Sequence, residues 1–336
     1  MLQSIKISSK QLRAAVRWCI VYGSFVYERN DERMNPKTRA NLLLLLTAMI
    51  WGCAFVAQDV AADVLQPMSF NGSRMLLAAV ALLPMVWLTD RRALKTGSGM
   101  AWKQMNRAQR KTLLLGGVCC GVMLAMGSIC QQVGLSLGTG AGKAGFITAL
   151  YIVLVPLTGL FFGRRLGKLV WAAVALSVVG LYLLCMQGSF TIDPGDGMLI
   201  LCAACFCGHI LVVDHFSRRT ECVKMSCIQF FTTTVICLAG AFLFENPTWE
   251  AVKTCAIPII YAGVFSGGMG YTLQILAQRD AEPAIASLLM SLESVFAVLA
   301  GWIILKDALS LRELAGCVMM MGGIVLAQLP EKKELP

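Results

Sequence analysis

Apolar stretches alternate with short polar segments along almost the whole chain. Ten of these stretches are long enough to cross a bilayer, because a spanning helix needs about 20 apolar residues to cover roughly 30 Å of hydrocarbon. The pattern therefore predicts an all-α integral membrane protein with ten transmembrane helices. The predicted spans are 40–58, 69–89, 112–134, 142–162, 168–187, 196–214, 224–244, 256–278, 283–305 and 311–329.

The first five spans resemble the last five. A shift of 142 residues aligns 121–187 with 263–329 without a gap, and a shift of 155 residues aligns the first two spans with the sixth and seventh. Because five is odd, the second copy must enter the membrane from the opposite face. Two inverted five-helix repeats, 40–187 and 196–329, are therefore predicted, an architecture typical of secondary transporters with a midplane substrate site.

The distribution of basic residues predicts the orientation in the membrane. With the N-terminus inside, 24 lysines and arginines fall on the inner side, including seven in the loop 90–111. The outer side has Lys253, Lys306 and Arg312. Since cytoplasmic loops carry the excess of positive charge, both the leader 1–39 and the tail 330–336 are predicted to be cytoplasmic.

Composition supports a lipid-embedded chain. Hydrophobic residues make up 57% of its 336 residues and charged residues 14%, too little charge to cover the surface of a soluble domain of this size. The net charge of +10 does not indicate nucleic-acid binding, because the basic residues lie between apolar spans rather than on a folded soluble platform.

No cofactor or metal site is predicted. The 14 cysteines lie almost entirely inside apolar runs, and no cysteine or histidine pair has the spacing of a zinc site. The chain has no Walker A loop and no His-Glu-x-x-His motif. An enzyme is therefore not expected. The leader has no stretch long enough to span, so Met34 is a candidate natural start alongside Met1.

Arg74 is the most informative single residue. It lies five residues into the second span, and a buried arginine is costly unless it faces a partner or a watery cavity. Facing inward, its fixed charge and fork of donors would suit a carboxylate or phosphate. The alternative is that Arg74 snorkels to lipid phosphates at the outer interface.

Glu293 lies midway along the ninth span, where an isolated carboxylate should be neutral or paired. Its counterpart in the first repeat is Tyr151, so the two should face each other across the pseudo-two-fold axis. Glu293 is either a proton or substrate site or the structural partner of a hydroxyl or of Arg74. Protons are accordingly a candidate coupling ion.

Other polar and aromatic residues inside spans are weaker candidates for the transport path. Each also has a structural interpretation, since polar side chains join helices and aromatic rings fill space between them. For the histidine, proton transfer is a further possibility. These candidates are Trp51, Gln132, His209, Gln229, Tyr271 and Gln274.

Small residues recur at roughly four-residue spacing in the third span and in its counterpart, the eighth. Such stripes let helix backbones approach closely, so packing is their predicted role. The residues are Gly121, Ala125 and Ser128 in the third span, and Gly263, Gly267 and Gly270 in the eighth.

Three stretches resemble the drug/metabolite transporter superfamily, in its ten-helix EamA-type branch. They are 48–56 (AMIWGCAFV), 67–74 (PMSFNGSR) and 291–307 (SLESVFAVLAGWIILKD), followed by Gly316 and Gly322-Gly323. The chain departs from the family pattern at Ser294, where the family often has proline, and at Asp307, where it often has glutamate. The resemblance implies movement of small organic solutes, such as amino acids and other metabolites, without fixing which.

The sequence thus predicts a multi-pass carrier of amino-acid-like or drug-like metabolites in the cytoplasmic membrane, working by alternating access. Import and export both fit the pattern, as does any oligomeric state. The rival interpretations are a non-transporting scaffold or channel-like membrane protein and, less favoured, a membrane-embedded enzyme. A scaffold would not need polar residues buried at matched positions in both repeats.

Overall fold

A computed structural model describes residues 35–97, 100–139, 141–164, 166–186, 193–300, 302 and 310–329. Every element assigned in these residues is a helix. The α-helices are α1 (Pro36–Ala62), α2 (Pro67–Thr96), α3 (Arg107–Ser136), α4 (Ala141–Ala149), α5 (Tyr151–Phe161), α6 (Lys168–Cys185), α7 (Asp196–Ser217), α8 (Cys222–Phe244), α9 (Trp249–Thr254), α10 (Ala256–Ile260), α11 (Thr272–Gln278), α12 (Pro283–Met290), α13 (Glu293–Ala300) and α14 (Leu311–Gln328). A π-helix, Tyr261–Tyr271, joins α10 to α11.

Eight helical runs in the described residues are long and apolar enough to cross a membrane. Helix α1 and the shorter apolar run Pro283–Leu299 coincide with the first and ninth predicted spans. The eight runs are Pro67–Thr96, Arg107–Ser136, Gly142–Phe161, Lys168–Cys185, Asp196–Ser217, Cys222–Phe244, Ala256–Gln278 and Leu311–Gln328. The leader up to residue 34, the tail 330–336, Arg165 and the segment 303–309 with Lys306 and Asp307 lie outside the described residues.

Helices α2 and α3 are longer than the spans predicted for them. Each has 30 residues, or about 45 Å at 1.5 Å per residue, so the segment expected to be a loop over 90–111 is mostly helical. Gly97, with φ 64°, ends α2 in the left-handed conformation. Asn106 starts α3 with a capping box, since its side chain accepts from the backbone of Gln109 and the Gln109 side chain accepts in return.

The fourth and ninth predicted spans are each interrupted by a tight turn. The first interruption separates α4 from α5 at Leu150, and the second separates α12 from α13 at 291–292. The two positions coincide under the 142-residue shift. In the ninth span the hydroxyls of Ser287 and Ser291 donate to backbone carbonyls three residues earlier, which competes with regular helix bonding.

The eighth predicted span contains the 11-residue π-helix. Wide turns of this kind are uncommon and are frequent at functional sites. The indole Nε1 of Trp51 donates to the carbonyl of Ser266, 3.1 Å away, and the hydroxyl of Tyr261 donates to the carbonyl of Ile50. One side chain from each element, Trp51 of α1 and Tyr261 of the π-helix, therefore donates to the backbone of the other element.

Helices α6 and α14, the fifth and tenth predicted spans, pack against each other through glycines. A Cβ added to Gly316 would lie 2.6 Å from the carbonyl oxygen of Gly180. The two backbones approach this closely because neither residue has a side chain. The central core lies between this pair and the rest of the bundle, and includes Leu44, Ile152 and Leu181.

Candidate functional site

A cavity of about 50 Å³ lies between the helices at the level of the interrupted turns. Its volume would accommodate a few waters, at roughly 10–15 Å³ each, but is smaller than the roughly 300–1,000 Å³ of most small-molecule pockets. Its lining residues are Trp51, Ala54, Gln58, Arg74, Gln131, Thr148, Tyr151, Phe206, His209, Ile210, Ser266, Tyr271, Gln274, Met290 and Glu293.

One wall of this central cavity carries Glu293. The residue is the first of α13, immediately after the interruption, and is 6% exposed. The hydroxyl of Tyr151, the first residue of α5, donates to its Oε1 over 3.4 Å. A helix N-terminus favours a negative charge. The two interrupted helices thus bring together the repeat-equivalent residues that sequence register placed opposite each other.

Another wall carries Arg74, which is buried and directed inward rather than toward the membrane surface. Its Nε donates to Asn71 Oδ1 at 2.9 Å and its Nη1 to Gln58 Oε1 at 3.1 Å. Asn71 is itself held by a bond from its Nδ2 to the carbonyl of Ser128. Among the described residues no carboxylate lies within ion-pair distance of Arg74, so its charge faces the cavity uncompensated.

The ring of Tyr271 and two rings beside it complete the wall. The Tyr271 ring centroid lies 4.7 Å from that of Trp51 and 5.7 Å from that of His209. His209 Nε2 forms a 3.1 Å hydrogen bond with Gln229 Oε1. Gln229 is fully buried behind the histidine and does not line the cavity. Its position is that of a residue that orients His209.

The two glutamines paired by the repeat differ in position. Gln274 lines the cavity and donates to Gln278, which in turn donates to the carbonyl of Ile210. Gln132 lies behind the cavity and donates to the backbone carbonyl of Gln58. In both, the amide Oε1 is buried without a hydrogen-bond partner in the described structure. Of the two residues, Gln274 alone lines the cavity.

A larger opening is lined by Val155, one turn after Tyr151, and by Leu211, next to Ile210 of the central cavity. This vestibule has a volume of about 460 Å³. Within it Asp214 of α7 accepts from Arg164 at 2.6 Å and from Arg218 at 3.2 Å. Neighbouring residues on the same two helices, α5 and α7, therefore line the vestibule and the central cavity.

The predicted small-residue stripes lie at helix contacts. A Cβ on Gly121 would come within 2.7 Å of the Gln229 carbonyl oxygen, and one on Gly263 within 2.7 Å of the Arg74 carbonyl oxygen. A Cβ on Gly270 would come within 2.5 Å of Trp51 Nε1. The remaining stripe residues also lie inside the bundle: Ala125, Ser128 and Gly267.

Seven of the nine predicted path residues line the cavity, and Gln132 and Gln229 stand behind it. Sequence reasoning missed Gln58, Thr148 and Ser266 as lining residues. Gln58 was detectable, because 51, 54 and 58 share one helical face. Ser266 reaches the cavity within the π-helix, whose wider turn changes which residues share a face.

A family comparison decides the class of this protein. The model of the EamA-like transporter family matches residues 38–186 and again residues 193–329. The chain belongs to the EamA-like transporter family. It is therefore a multi-pass membrane transporter rather than an enzyme.

Relatives that this chain matches over most of their length are also named as transporters. An uncharacterized transporter of Archaeoglobus fulgidus is 26% identical over 312 residues, covering 93% of this chain and 92% of the relative. The uncharacterized inner membrane transporter YedA of Escherichia coli is 23% identical over 288 residues, covering 84% and 88%. A protein of known crystal structure has the same fold, with TM-score 0.69 and 17% identity over 87% of this chain and 96% of that one.

Proposed function

We propose that this EamA-like transporter carries small zwitterionic metabolites, amino-acid-like solutes with a carboxylate and an ammonium group, across the cytoplasmic membrane. One observation carries the proposal. Arg74 and Glu293 line the same cavity, and no ion pair joins them. A buried guanidinium and a buried carboxyl group, each with a neutral hydrogen-bond partner in place of a counterion, match the two charged groups of a zwitterion.

Arg74 is the carboxylate-binding group in this proposal. Two of its donors are used by Gln58 and Asn71, which fix the plane of the guanidinium. Its Nη2 has no partner among the described residues and remains for a ligand. A pre-oriented guanidinium binds a carboxylate with a charge-assisted bond, which is roughly twice as strong as a neutral one.

Glu293 is the second binding group and the coupling site. In the empty carrier a carboxyl group at this depth is most stable with a proton on it, because an unpaired buried charge is costly. An arriving ammonium group would replace that proton. Proton and substrate then compete for one carboxylate, so their movements are coupled in opposite directions.

Alternating access follows from the size of the cavity and the design of the helices. The central cavity is too small for an organic solute, so binding requires it to widen toward the vestibule. The turns at Leu150 and 291–292 divide two helices at the binding level, as in discontinuous-helix transporters. The duplicate family match and the matched turns support ten spans arranged as two inverted repeats. The seven basic residues of 90–111 support an orientation with both termini in the cytoplasm.

A trio of compounds that share one side chain tests the proposal: an α-amino acid, the amine lacking its carboxylate, and the acid lacking its ammonium. Reconstituted vesicles would be tested for counterflow of each, over several side chains. Saturable counterflow of the amino acid, with little of the other two, is expected. Equal counterflow of all three, or of the amine or acid alone, would contradict zwitterion recognition.

A further inference from the structure

A basic surface surrounds the connection between α2 and α3 and plays no part in the proposed transport path. Seven lysines and arginines lie in 21 residues of sequence, with Asp90 beside them as an acid. We call this surface the basic collar. Its members are Arg91, Arg92, Lys95, Lys103, Arg107, Arg110 and Lys111, together with the exposed side chains of Trp87, Met100 and Trp102.

The one acid of the collar is already neutralised. Lys224 of α8 lies 2.9 Å from Asp90 Oδ1 and also donates to the carbonyl of Met100 at 2.6 Å. Asp90 Oδ1 accepts in addition from the backbone N–H of Trp102 at 2.7 Å. Lys224 from α8 thus already pairs with Asp90, so the collar carries a large excess of positive charge. The same contacts hold Met100 and Trp102 in place.

The part of the connection that the structure describes before α3, residues 100–106, presents apolar side chains outward. Ala101 and Met105 are buried and anchor it. Met100 and Trp102, on either side of Ala101, are about two-fifths exposed. Trp87, one turn before the basic end of α2, is 52% exposed. Tryptophan in such a position is typical of the membrane–water interface, where its ring sits at headgroup level.

The positive charges sit directly on these rings. The Arg91 guanidinium lies 3.7 Å from the centroid of Trp87, and that of Arg110 lies 5.3 Å from the centroid of Trp102. Cation–π contact holds each guanidinium beside an apolar surface. Each pair therefore offers a ring for acyl chains and a charge for a phosphate, side by side.

The length of α2 places the collar at headgroup depth. A helix of 30 residues spans about 45 Å, against roughly 30 Å of hydrocarbon. The last turns of α2, which carry Arg91 and Lys95, must therefore emerge from the apolar layer. Trp87 marks the boundary that they cross.

We propose that the basic collar is a docking site for the headgroups of anionic phospholipids in the leaflet that it faces. Phosphate groups would bind between the guanidiniums and lysines, and the acyl chains next to the glycerol would lie against Trp87, Trp102 and Met100. A nucleic acid or acidic protein would use the charge but not the apolar side chains beside it. The site is independent of the zwitterion proposal, because none of its residues lines the central cavity or the vestibule.

Lipid binding by the purified full-length chain in a neutral detergent tests this directly. Phosphatidylglycerol or phosphatidylcholine would be titrated in and retained lipids counted by native mass spectrometry. Tighter retention of phosphatidylglycerol is expected. Its affinity in K103Q/R107Q/R110Q should fall by at least roughly tenfold, since each basic residue at the surface contributes to the attraction.

Two control variants distinguish binding at the collar from non-specific lipid binding. The double variant K253Q/R312Q removes a lysine and an arginine that also lie over aromatic rings, Trp249 and Tyr182, and should retain phosphatidylglycerol normally. The charge-preserving variant K103R/R107K should do so as well. Loss of binding in either control would overturn the assignment to the collar, as would equal affinity of K103Q/R107Q/R110Q and the natural protein.

A competition experiment distinguishes a lipid headgroup from a soluble phosphate as the ligand of the collar. Inorganic phosphate and glycerol phosphate would be added at concentrations matching the lipid. If the collar docks membrane lipid, neither should displace phosphatidylglycerol at these concentrations, because neither has acyl chains to contact the tryptophans. Displacement at equal concentration would show a soluble-phosphate site and overturn the membrane proposal. Thermal unfolding without lipid checks that every variant is folded.

Discussion

The hydroxyl of Tyr151 lies 3.4 Å from Oε1 of Glu293 and donates to it. The two residues are 142 positions apart, the same distance that aligns the second half of one repeat with that of the other. Each is also the first residue after the turn that interrupts its helix. A contact between equivalent residues can form only near the axis that relates the copies, so this pair marks the centre of the proposed transport path.

Replacing Arg74 should slow transport strongly without unfolding the protein. Arg74→Gln removes the charge and the free donor, and a hydrogen bond to a charged group contributes about 1.5–3 kcal/mol. Transport per reconstituted protein should fall by roughly 10- to 100-fold. Arg74→Lys keeps the charge but not the planar fork, and should be intermediate.

Arg312→Gln, an arginine at the bundle surface beside Tyr182, is the control for that experiment. It should transport at the natural rate. If Arg74→Gln keeps full transport with an unchanged KM, the guanidinium has a structural role only.

The contact between α6 and α14 gives a prediction about stability. Gly316→Ala would place a methyl group 2.6 Å from the Gly180 carbonyl oxygen, and overpacking of this kind costs typically about 1–3 kcal/mol. A lower Tm in detergent is expected. Gly322→Ala on the same helix is the matched control, because its nearest neighbour, Leu176 Cδ2, is 3.6 Å away. Equal Tm values for the two variants would show that α6 and α14 do not pack as described.

Membrane orientation can be tested with two single cysteines in a cysteine-free background. Gln104, between α2 and α3, is exposed and should be cytoplasmic, and Asn246, just after α8, is exposed and should be outside. An impermeant thiol reagent added to intact cells should therefore label position 246 and spare position 104. The reverse pattern would invert the orientation derived from charge.

The positions of the apolar helices could be predicted from sequence because length and hydropathy alone set them. The alignment of the two repeats without a gap likewise predicted that Tyr151 lies opposite Glu293. Burial of Arg74 at the cavity was one of two alternatives, and sequence could not choose between them. The choice depended on two residues that hold the guanidinium inside the bundle. Asn71 lies one turn earlier in the same helix, and Gln58 lies on the neighbouring helix α1.

Other features were beyond the sequence because tertiary contacts create them. The π-helix depends on bonds from Trp51 and Tyr261 to distant carbonyls. The extra turns of α2, which end at Gly97, leave no hydropathy signal because they are polar. Gln132 lies behind the cavity because it donates to the backbone carbonyl of Gln58. Its repeat partner Gln274 lines the cavity.

The pH dependence of the Glu293→Gln variant tests the central claim, that one carboxylate in the central cavity exchanges proton for substrate. The amide keeps the shape and most hydrogen bonding but cannot titrate, so the variant should fold and reach the membrane normally. The measurement is transport of an identified substrate into vesicles with and without a pH gradient. The account predicts that Glu293→Gln loses gradient-driven accumulation and its response to pH. Accumulation with an unchanged pH dependence in Glu293→Gln would contradict it.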